Sequence, residues 1–221
     1  MPQAFGKLLA MLLLILAPLA TPAAAEGEHV IIAFGDSLTQ GYGLAPEQGL
    51  VPRLEGWLRA QGAAVRLVNA GVSGDTTAGG AARIGWTLAE PADGIIVALG
   101  GNDMLRGLPP AEARANLDAI LTAAGGKGLP VLLVGMAAPG NYGPAYKAEF
   151  EAIYPDLATR HGALLAENLM APLMGALEDP AARARLIQPD GIHPSAAGVD
   201  LVVEALGPRV LDLLARIEAG G

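Results

Sequence analysis

The feature that most constrains the fold of this chain is a series of five short apolar runs, separated by segments long enough to be helices. The runs span residues 30–34, 65–68, 94–99, 130–136 and 163–165. They are nearly continuous rather than alternating, which is typical of strands buried on both faces of a parallel sheet. Strands that alternate with helices imply right-handed crossovers. The sequence therefore predicts an α/β domain built on a doubly wound parallel sheet.

Four of the intervening segments have helical length and composition. They span residues 46–60, 110–124, 146–160 and 196–217. The second begins at Pro110, which suits the first turn of a helix, and ends before Gly125. In a doubly wound sheet, ligands bind at the carboxyl ends of the strands. The residues that follow each apolar run are therefore the candidates for chemistry.

The N-terminal segment, residues 1–25, has the pattern of a signal peptide. Lys7 supplies a positive charge, residues 8–19 are apolar, and three alanines precede Glu26. The apolar run is shorter than the ~20 residues that a membrane-spanning helix needs. We therefore expect cleavage, leaving one domain over residues 26–221 that is exported to the periplasm or secreted and is not inserted in a membrane. An uncleaved membrane anchor is the alternative.

Charge and residue types exclude several classes of function. The chain has 14 basic and 22 acidic residues and a net charge of -8, whereas a nucleic-acid binder needs a basic face. It has no cysteine, which excludes a thiol nucleophile, a disulfide framework and thiolate-bound metal. Its three histidines have no ligand-like spacing, so we predict no metal site. Nothing in the sequence demands more than a monomer.

The first apolar run ends in Gly35-Asp36-Ser37-Leu38. A glycine permits a tight turn after the strand and leaves Ser37 exposed at the rim of the sheet, where the N–H groups of a following helix favour negative charge. The alternative is an ordinary turn in which Asp36 or Ser37 caps a helix. This segment alone does not decide between a nucleophile and a cap.

The second and third runs are followed by residues that can donate hydrogen bonds to a ligand. Gly74 follows the second run and can present an unobstructed backbone N–H. Gly100 and Gly101 follow the third run, and the side chain of Asn102 can direct an N–H into the same space. Taken singly, these segments are also ordinary turn chemistry, and Asp75 or Thr76 is a natural helix cap.

The fourth segment, Asp190-Gly191-Ile192-His193-Pro194, precedes the last predicted helix. A carboxylate three residues before an imidazole can accept a hydrogen bond from its Nδ1–H. That contact fixes the tautomer and leaves Nε2 free to act as a base. The other histidines, His29 and His161, are interpreted as structural or solvated.

All four segments are expected at the same edge of the sheet. Together they supply a nucleophile, an oriented base and several donors for an oxyanion, which are the groups that acyl transfer requires. Their convergence favours an enzyme more strongly than any one segment does.

These four segments, in this order, resemble the four sequence blocks of the SGNH, or GDSL, hydrolases. Two further stretches are similar to the bacterial periplasmic group known as thioesterase I, lysophospholipase or arylesterase: residues 100–107, and residues 141–143 taken with residues 152–155. The resemblance implies a flavodoxin-like three-layer α/β/α fold with a five-stranded parallel sheet and no cofactor. It also implies a carboxylic ester hydrolase that acts on a small-molecule acyl ester or thioester.

The same resemblance assigns roles to residues. Ser37 would attack the substrate, and Asp190 and His193 would complete the catalytic triad. The N–H groups of Ser37 and Gly74 and the amide of Asn102 would form the oxyanion hole.

An acyl pocket is expected in the apolar loops after the third and fourth strands. Its candidate residues are all large apolar or aromatic side chains, apart from one proline. They are Met104, Leu105, Leu108, Met136, Pro139, Tyr142 and Tyr146.

Two other functions remain open at this point. The same fold and triad can support a carbohydrate O-deacetylase. A non-catalytic flavodoxin-like module could instead bind phosphate or FMN at the strand ends, but it would leave the Asp190–His193 pair unexplained. Dinucleotide binding fits less well, because residues 35–43 lack the G-x-G-x-x-G spacing.

Overall fold

The computed structural model describes Met1 and residues 27–220. The predicted signal peptide, apart from Met1, lies outside these residues. Five strands form one sheet in which every neighbouring pair is parallel. The strands are β1 (His29–Gly35), β2 (Val65–Gly71), β3 (Gly94–Ala98), β4 (Val131–Val134) and β5 (Leu164–Ala166). Their order in the sheet is β2-β1-β3-β4-β5.

Helices follow each strand, and four of the eight within residues 27–220 overlap the four predicted helical segments. They are α1 (Ser37–Gln40), α2 (Leu50–Ala60), α3 (Thr77–Thr87), α4 (Gly101–Leu105), α5 (Pro110–Gly126), α6 (Pro144–His161), α7 (Pro180–Leu186) and α8 (Ala196–Gly220). The first predicted helix is wrong at its start. Residues Pro46–Gln48 form a separate 3-10 turn, because Gly49 is extended and interrupts the helix before α2.

The helices form two layers around the sheet. Helices α2 and α8 pack against each other in one layer, while α3, α5 and α6 pack side by side in the other. The glycine-rich α3 packs closely because a Cβ on Gly80 would lie 2.4 Å from Leu99 Cδ1. This three-layer α/β/α arrangement with a five-stranded parallel sheet confirms the predicted fold.

The sequence predicts strands that are buried on both faces of the sheet. This prediction is correct for the central strands and wrong for the two edge strands. Every residue of β3 and β4 is buried. In the edge strand β2 only Val65 and Leu67 are buried, with Arg66 exposed between them, and β5 is half-buried throughout. The prediction was wrong for these two strands because an edge strand is not covered as fully as its inner neighbours.

The strand order places the site-forming segments together. After β2, the chain crosses back over β1 to form β3, so β1 and β3 lie side by side at the point where the direction of winding reverses. Ligands bind at such a point, beyond the carboxyl ends of the strands. Ser37, Gly74 and Asn102 each follow one of these three strands. Within residues 27–220, no helix is long and apolar enough to cross a membrane.

Candidate active site

Ser37 is the first residue of α1, two residues after β1 ends. The tight approach of α1 to the sheet requires glycine at position 35, where a Cβ would lie 2.0 Å from Thr39 Oγ1 and 2.8 Å from Ala98 O. Asp36 caps the helix by accepting a hydrogen bond from Leu38 N at 3.0 Å. The helix-cap interpretation is therefore correct for Asp36, and it leaves the Ser37 side chain half-buried at the rim.

Asp36 is only 1% exposed. Burial raises its pKa from 3.8 to about 6, although the hydrogen bond from Leu38 N opposes that shift. A raised carboxyl pKa means that the folded chain binds the proton more tightly than the unfolded chain does. The stabilisation from neutral Asp36 is therefore complete below pH 3.8 and is lost as the pH rises through about 6.

Three side chains form a continuous hydrogen-bonded line at the edge of the sheet. His193 Nε2 lies 2.8 Å from Ser37 Oγ, although these residues are 156 positions apart in the chain. His193 Nδ1 lies 2.6 Å from Asp190 Oδ2. The spacing suits proton transfer from the hydroxyl to the imidazole, with the carboxylate holding the opposite nitrogen.

The Asp190 carboxylate is held by its own loop. Its Oδ1 accepts hydrogen bonds from Ile192 N at 2.9 Å and from His193 N at 3.0 Å. Desolvation alone would raise the pKa of Asp190, but these bonds and the imidazole contact outweigh it and lower the pKa from 3.8 to about 2. The stability that ionised Asp190 contributes is present above pH 3.8 and is lost as the pH falls through about 2.

Gln188 and Tyr42 connect the two loops that carry Ser37 and His193. Gln188 Nε2 donates to Tyr42 O at 2.8 Å and to Pro194 O at 2.9 Å, and Gln188 N donates to His193 O at 2.8 Å. The Tyr42 ring lies 4.8 Å from the His193 ring. Sequence reasoning missed both residues. Tyr42 and Gln188 lie close in the chain to Ser37 and Asp190, which is the one sign that the sequence offers of their role. Their contact with each other could not be predicted, because it joins residues that are far apart in the chain.

Two more predicted site residues, Gly74 and Asn102, present donors to the same space. Gly74 has φ +81°, a left-handed conformation that favours glycine, and no hydrogen bond from its N–H occurs within the described part of the chain. Asn102 Nδ2 donates to Asp75 O at 2.9 Å, which orients the amide and uses one of its two hydrogens. The other hydrogen remains for a ligand.

A buried carboxylate joins the segments that carry these donors. Asp103 is 2% exposed, and it accepts hydrogen bonds from Thr77 N at 2.8 Å and from Thr77 Oγ1 at 2.6 Å. Asn116 Nδ2 donates to the same hydroxyl at 3.1 Å. The first turn of α3 is thereby attached to α4.

A cavity of about 510 Å³ opens beside Ser37 and His193. Gly74 and Asn102 line it, and apolar side chains form most of its remaining wall. Four of the predicted acyl-pocket residues are among them: Met104, Leu105, Met136 and Pro139. Met170, Met174 and Ile192 also line the cavity and were missed, because the loops that carry them follow other elements.

The other three predicted acyl-pocket residues, Leu108, Tyr142 and Tyr146, do not line this cavity. The two tyrosines instead support the end of α4 and the loop that follows it. Tyr142 Oη donates to Leu105 O at 3.2 Å, and Tyr146 Oη donates to Leu108 O at 3.0 Å. Burial raises the pKa of Tyr146, so its hydroxyl remains protonated as this donor.

Another wall of the cavity is held in place by an ion pair on α6. Lys147 Nζ donates to Ala138 O at 2.7 Å and also contacts Glu151 Oε1. Ala138 N donates to the same Glu151 oxygen at 3.1 Å. Both backbone groups of Ala138 are thus bound by one Lys–Glu pair.

His29 and His161 lie away from the cavity. His161 Nε2 is 2.7 Å from Asp118 Oδ1, and this contact is the main reason that the pKa of Asp118 is lowered. His29 lies 3.8 Å from Asp93 and 3.9 Å from Glu218. Among residues 27–220, no three His, Cys, Asp or Glu side chains are grouped to hold a metal ion.

The chain is similar to known ester hydrolases over most of its length. Residues 33–201 match the GDSL-like Lipase/Acylhydrolase family. Esterase TesA of Pseudomonas aeruginosa is 38% identical over 187 residues, which cover 84% of this chain and 90% of that protein. Thioesterase 1/protease 1/lysophospholipase L1 of Escherichia coli K12 is 30% identical over 191 residues, covering 86% and 87%.

A solved structure supports the same relationship. The crystal structure of AlinE4, an SGNH-hydrolase family esterase, has a TM-score of 0.69 and 44% sequence identity. The alignment covers 85% of this chain and 97% of that one. Sequence and fold therefore point to the same family.

Proposed function

The chain belongs to the GDSL-like lipase/acylhydrolase family, and we propose that it hydrolyses acyl esters and thioesters through an acyl-enzyme formed on Ser37. It is a serine ester hydrolase of the SGNH type. The observation that carries the proposal is the continuous line from Ser37 Oγ through His193 to Asp190, with separations of 2.8 and 2.6 Å. A binding module would need neither contact.

In the first half of the reaction, His193 Nε2 removes the Ser37 proton while Oγ attacks the carbonyl carbon of the substrate. The carbonyl oxygen becomes an oxyanion that accepts hydrogen bonds from the N–H groups of Ser37 and Gly74 and from the Asn102 amide. The imidazolium, stabilised by Asp190, then donates its proton to the departing alcohol or thiol. The acyl group remains on Ser37.

In the second half, a water molecule takes the place of the alcohol or thiol. His193 removes its proton as the water oxygen attacks the acyl carbonyl, and the same donors hold the second oxyanion. Collapse of this intermediate breaks the bond to Oγ, and the proton on His193 returns to Ser37. A carboxylic acid is released, and every group returns to its starting state.

The cavity supports acyl chains as the preferred substrates. Its volume of about 510 Å³ and its lining of Met104, Leu105, Met136 and Met174 suit an apolar chain better than a sugar. Two relatives are named for esterase, thioesterase and lysophospholipase activities. We therefore favour an acyl esterase over a carbohydrate O-deacetylase.

A series of p-nitrophenyl esters with acyl chains of increasing length tests this preference. We expect kcat/KM to rise by up to about fourfold for each methylene that the cavity buries, since one buried CH₂ contributes ~0.8 kcal/mol. The release of acetate from acetylated sugars is measured in parallel, and Ser37→Ala gives the background for both assays. Faster turnover of acetylated sugars than of any longer ester would favour the deacetylase instead.

Export follows from residues 1–25 and is part of the same proposal. The Ala23-Ala24-Ala25 stretch before Glu26 fits a signal-peptide cleavage site. The full chain expressed in a Gram-negative host should reach the periplasm with Glu26 as its first residue. Intact mass and N-terminal sequencing of the periplasmic fraction measure this result. A cytoplasmic product that retains Met1 would contradict the signal-peptide interpretation.

A further inference from the structure

Arg83 joins several parts of the active-site edge without lining the active-site cavity. It lies on α3, and its side chain is 23% exposed. Its Nη2 donates to Gly35 O at 2.9 Å, and its Nη1 donates to Ala70 O at 2.9 Å. One guanidinium group therefore links the carboxyl end of β1 to the carboxyl end of β2.

The remaining contacts of Arg83 use its charge and its planarity. Its Nε donates to Asp75 Oδ2 at 2.7 Å, and its Cζ lies 3.9 Å from the centre of the Phe34 ring. A rigid fork of donors stacked on an aromatic ring is available to arginine and not to lysine. Arginine is therefore the residue type that can make all four contacts, to Gly35, Ala70, Asp75 and the Phe34 ring.

Asp75 connects Arg83 to the proposed oxyanion hole. Its backbone carbonyl accepts the hydrogen bond from the Asn102 amide at 2.9 Å. It also directly follows Gly74, the second proposed donor. Gly35, which Arg83 also binds, lies two residues before Ser37. Two partners of Arg83, Asp75 and Gly35, are thus hydrogen-bonded to, or lie within two residues of, the residues that supply all three oxyanion donors.

We infer that Arg83 is a positioning residue that fixes the spacing of the oxyanion-hole donors by holding Asp75 and the ends of β1 and β2. This inference rests on the proposed function. Each donor has to lie about 2.7–3.1 Å from the oxyanion. A displacement of ~1 Å in a reacting geometry can reduce the rate by about a hundredfold, so loosening this contact network reduces turnover without touching the substrate.

The first test is Arg83→Met, with Arg83→Lys as the variant that keeps the charge but loses the fork. We expect kcat to fall by ~10- to 100-fold in both variants while KM stays within about twofold. Arg114→Met is the matched control, because it removes an Arg–Asp contact of 2.9 Å between α5 and α6. Its kcat should match that of the wild type. A KM-only effect in the Arg83 variants would overturn the inference.

A double-mutant cycle with Asn102 separates positioning from general stabilisation. Asn102→Ala alone should lower kcat by about 10²- to 10³-fold. Because Arg83 acts in part through Asn102, the double variant should lose several-fold less than the product of the two single losses, since the part of the Arg83 effect that passes through Asn102 is already gone in Asn102→Ala. Losses that multiply fully would show that Arg83 acts independently and would overturn the inference.

A second substitution covers the case in which Arg83→Met does not fold. Asp75→Asn keeps the backbone carbonyl that Asn102 binds and removes only the charge that Arg83 holds. It should lower kcat and show the same non-additivity with Asn102→Ala. Wild-type kcat in folded Asp75→Asn and Arg83→Lys, beside an inactive Ser37→Ala, would overturn the positioning role and leave the proposed function intact.

Discussion

Replacing Ser37 with alanine is expected to lower kcat for p-nitrophenyl esters by about 10⁶-fold, the scale of loss seen when a serine nucleophile is removed from a triad. The reason is that no other hydroxyl contacts His193 Nε2 among residues 27–220, and Ser37 Oγ does so at 2.8 Å. Without that oxygen, no acyl-enzyme can form. Steady-state kinetics and the loss of the acylation burst measure the effect.

Ser73→Ala is the matched control for this change. Ser73 lines the same cavity, but its hydroxyl donates to Gln40 Oε1 at 2.7 Å rather than contacting His193. Its activity should stay within a few-fold of the wild type. His193→Ala should be about as inactive as Ser37→Ala, and the double variant no worse, because the pair acts as a unit. Activity of Ser37→Ala within tenfold of the wild type would rule out Ser37 as the nucleophile.

The general architecture could be predicted because strands that are fully buried consist of apolar residues, and such runs can be recognised in the sequence. Residues of β3 and β4 are all buried and all apolar or glycine, so these strands stand out in the sequence. The edge strand β2 contains the exposed Arg66, and only three-dimensional neighbours reveal which strand lies at an edge. Helix α3 was not delimited in advance because Gly79, Gly80 and Gly85 weaken its helical pattern.

The proposed catalytic groups could be located from the sequence because each follows a strand or precedes a helix in a short recognisable segment. The residues that hold them could not. Arg83, Gln188 and Lys147 act on atoms of other elements, and their neighbours in the chain give no sign of those partners. Spacing along the chain reports local geometry such as the Asp190–His193 pair, whereas these long-range contacts depend on tertiary packing.

The proposed acyl pocket shows the same limit. Membership of the right loop was sufficient to predict Met104 and Met136, which line the cavity. It failed for Tyr142 and Tyr146 because their hydroxyl groups bind backbone carbonyls of the neighbouring loop. A side chain with a polar tip turns towards an available acceptor, and the sequence does not show where that acceptor lies.

Replacing Asp190 with asparagine is expected to lower kcat by about 10⁴-fold while leaving KM nearly unchanged. In the native loop, Oδ1 accepts two backbone N–H groups and Oδ2 faces His193 Nδ1. An asparagine at position 190 keeps the two backbone bonds only if its side-chain oxygen takes the place of Oδ1. Its NH₂ group then takes the place of Oδ2 and faces His193 Nδ1. The imidazole must then accept at Nδ1 and carry its hydrogen on Nε2, so it cannot take the Ser37 proton.

The chain offers a matched control in its second His–Asp pair. Asp118→Asn makes the same carboxylate-to-amide change in a contact of 2.7 Å with His161. This pair lies away from the cavity, so the change should leave kcat unaltered. Because the pKa of Asp190 is about 2, the wild-type carboxylate stays ionised well below neutral pH, and the deficit of Asp190→Asn should persist from pH 5 to 8. NMR of labelled imidazoles should show the proton moved from Nδ1 to Nε2 at His193 alone. Unchanged kcat together with that tautomer shift would mean that His193 is not the base.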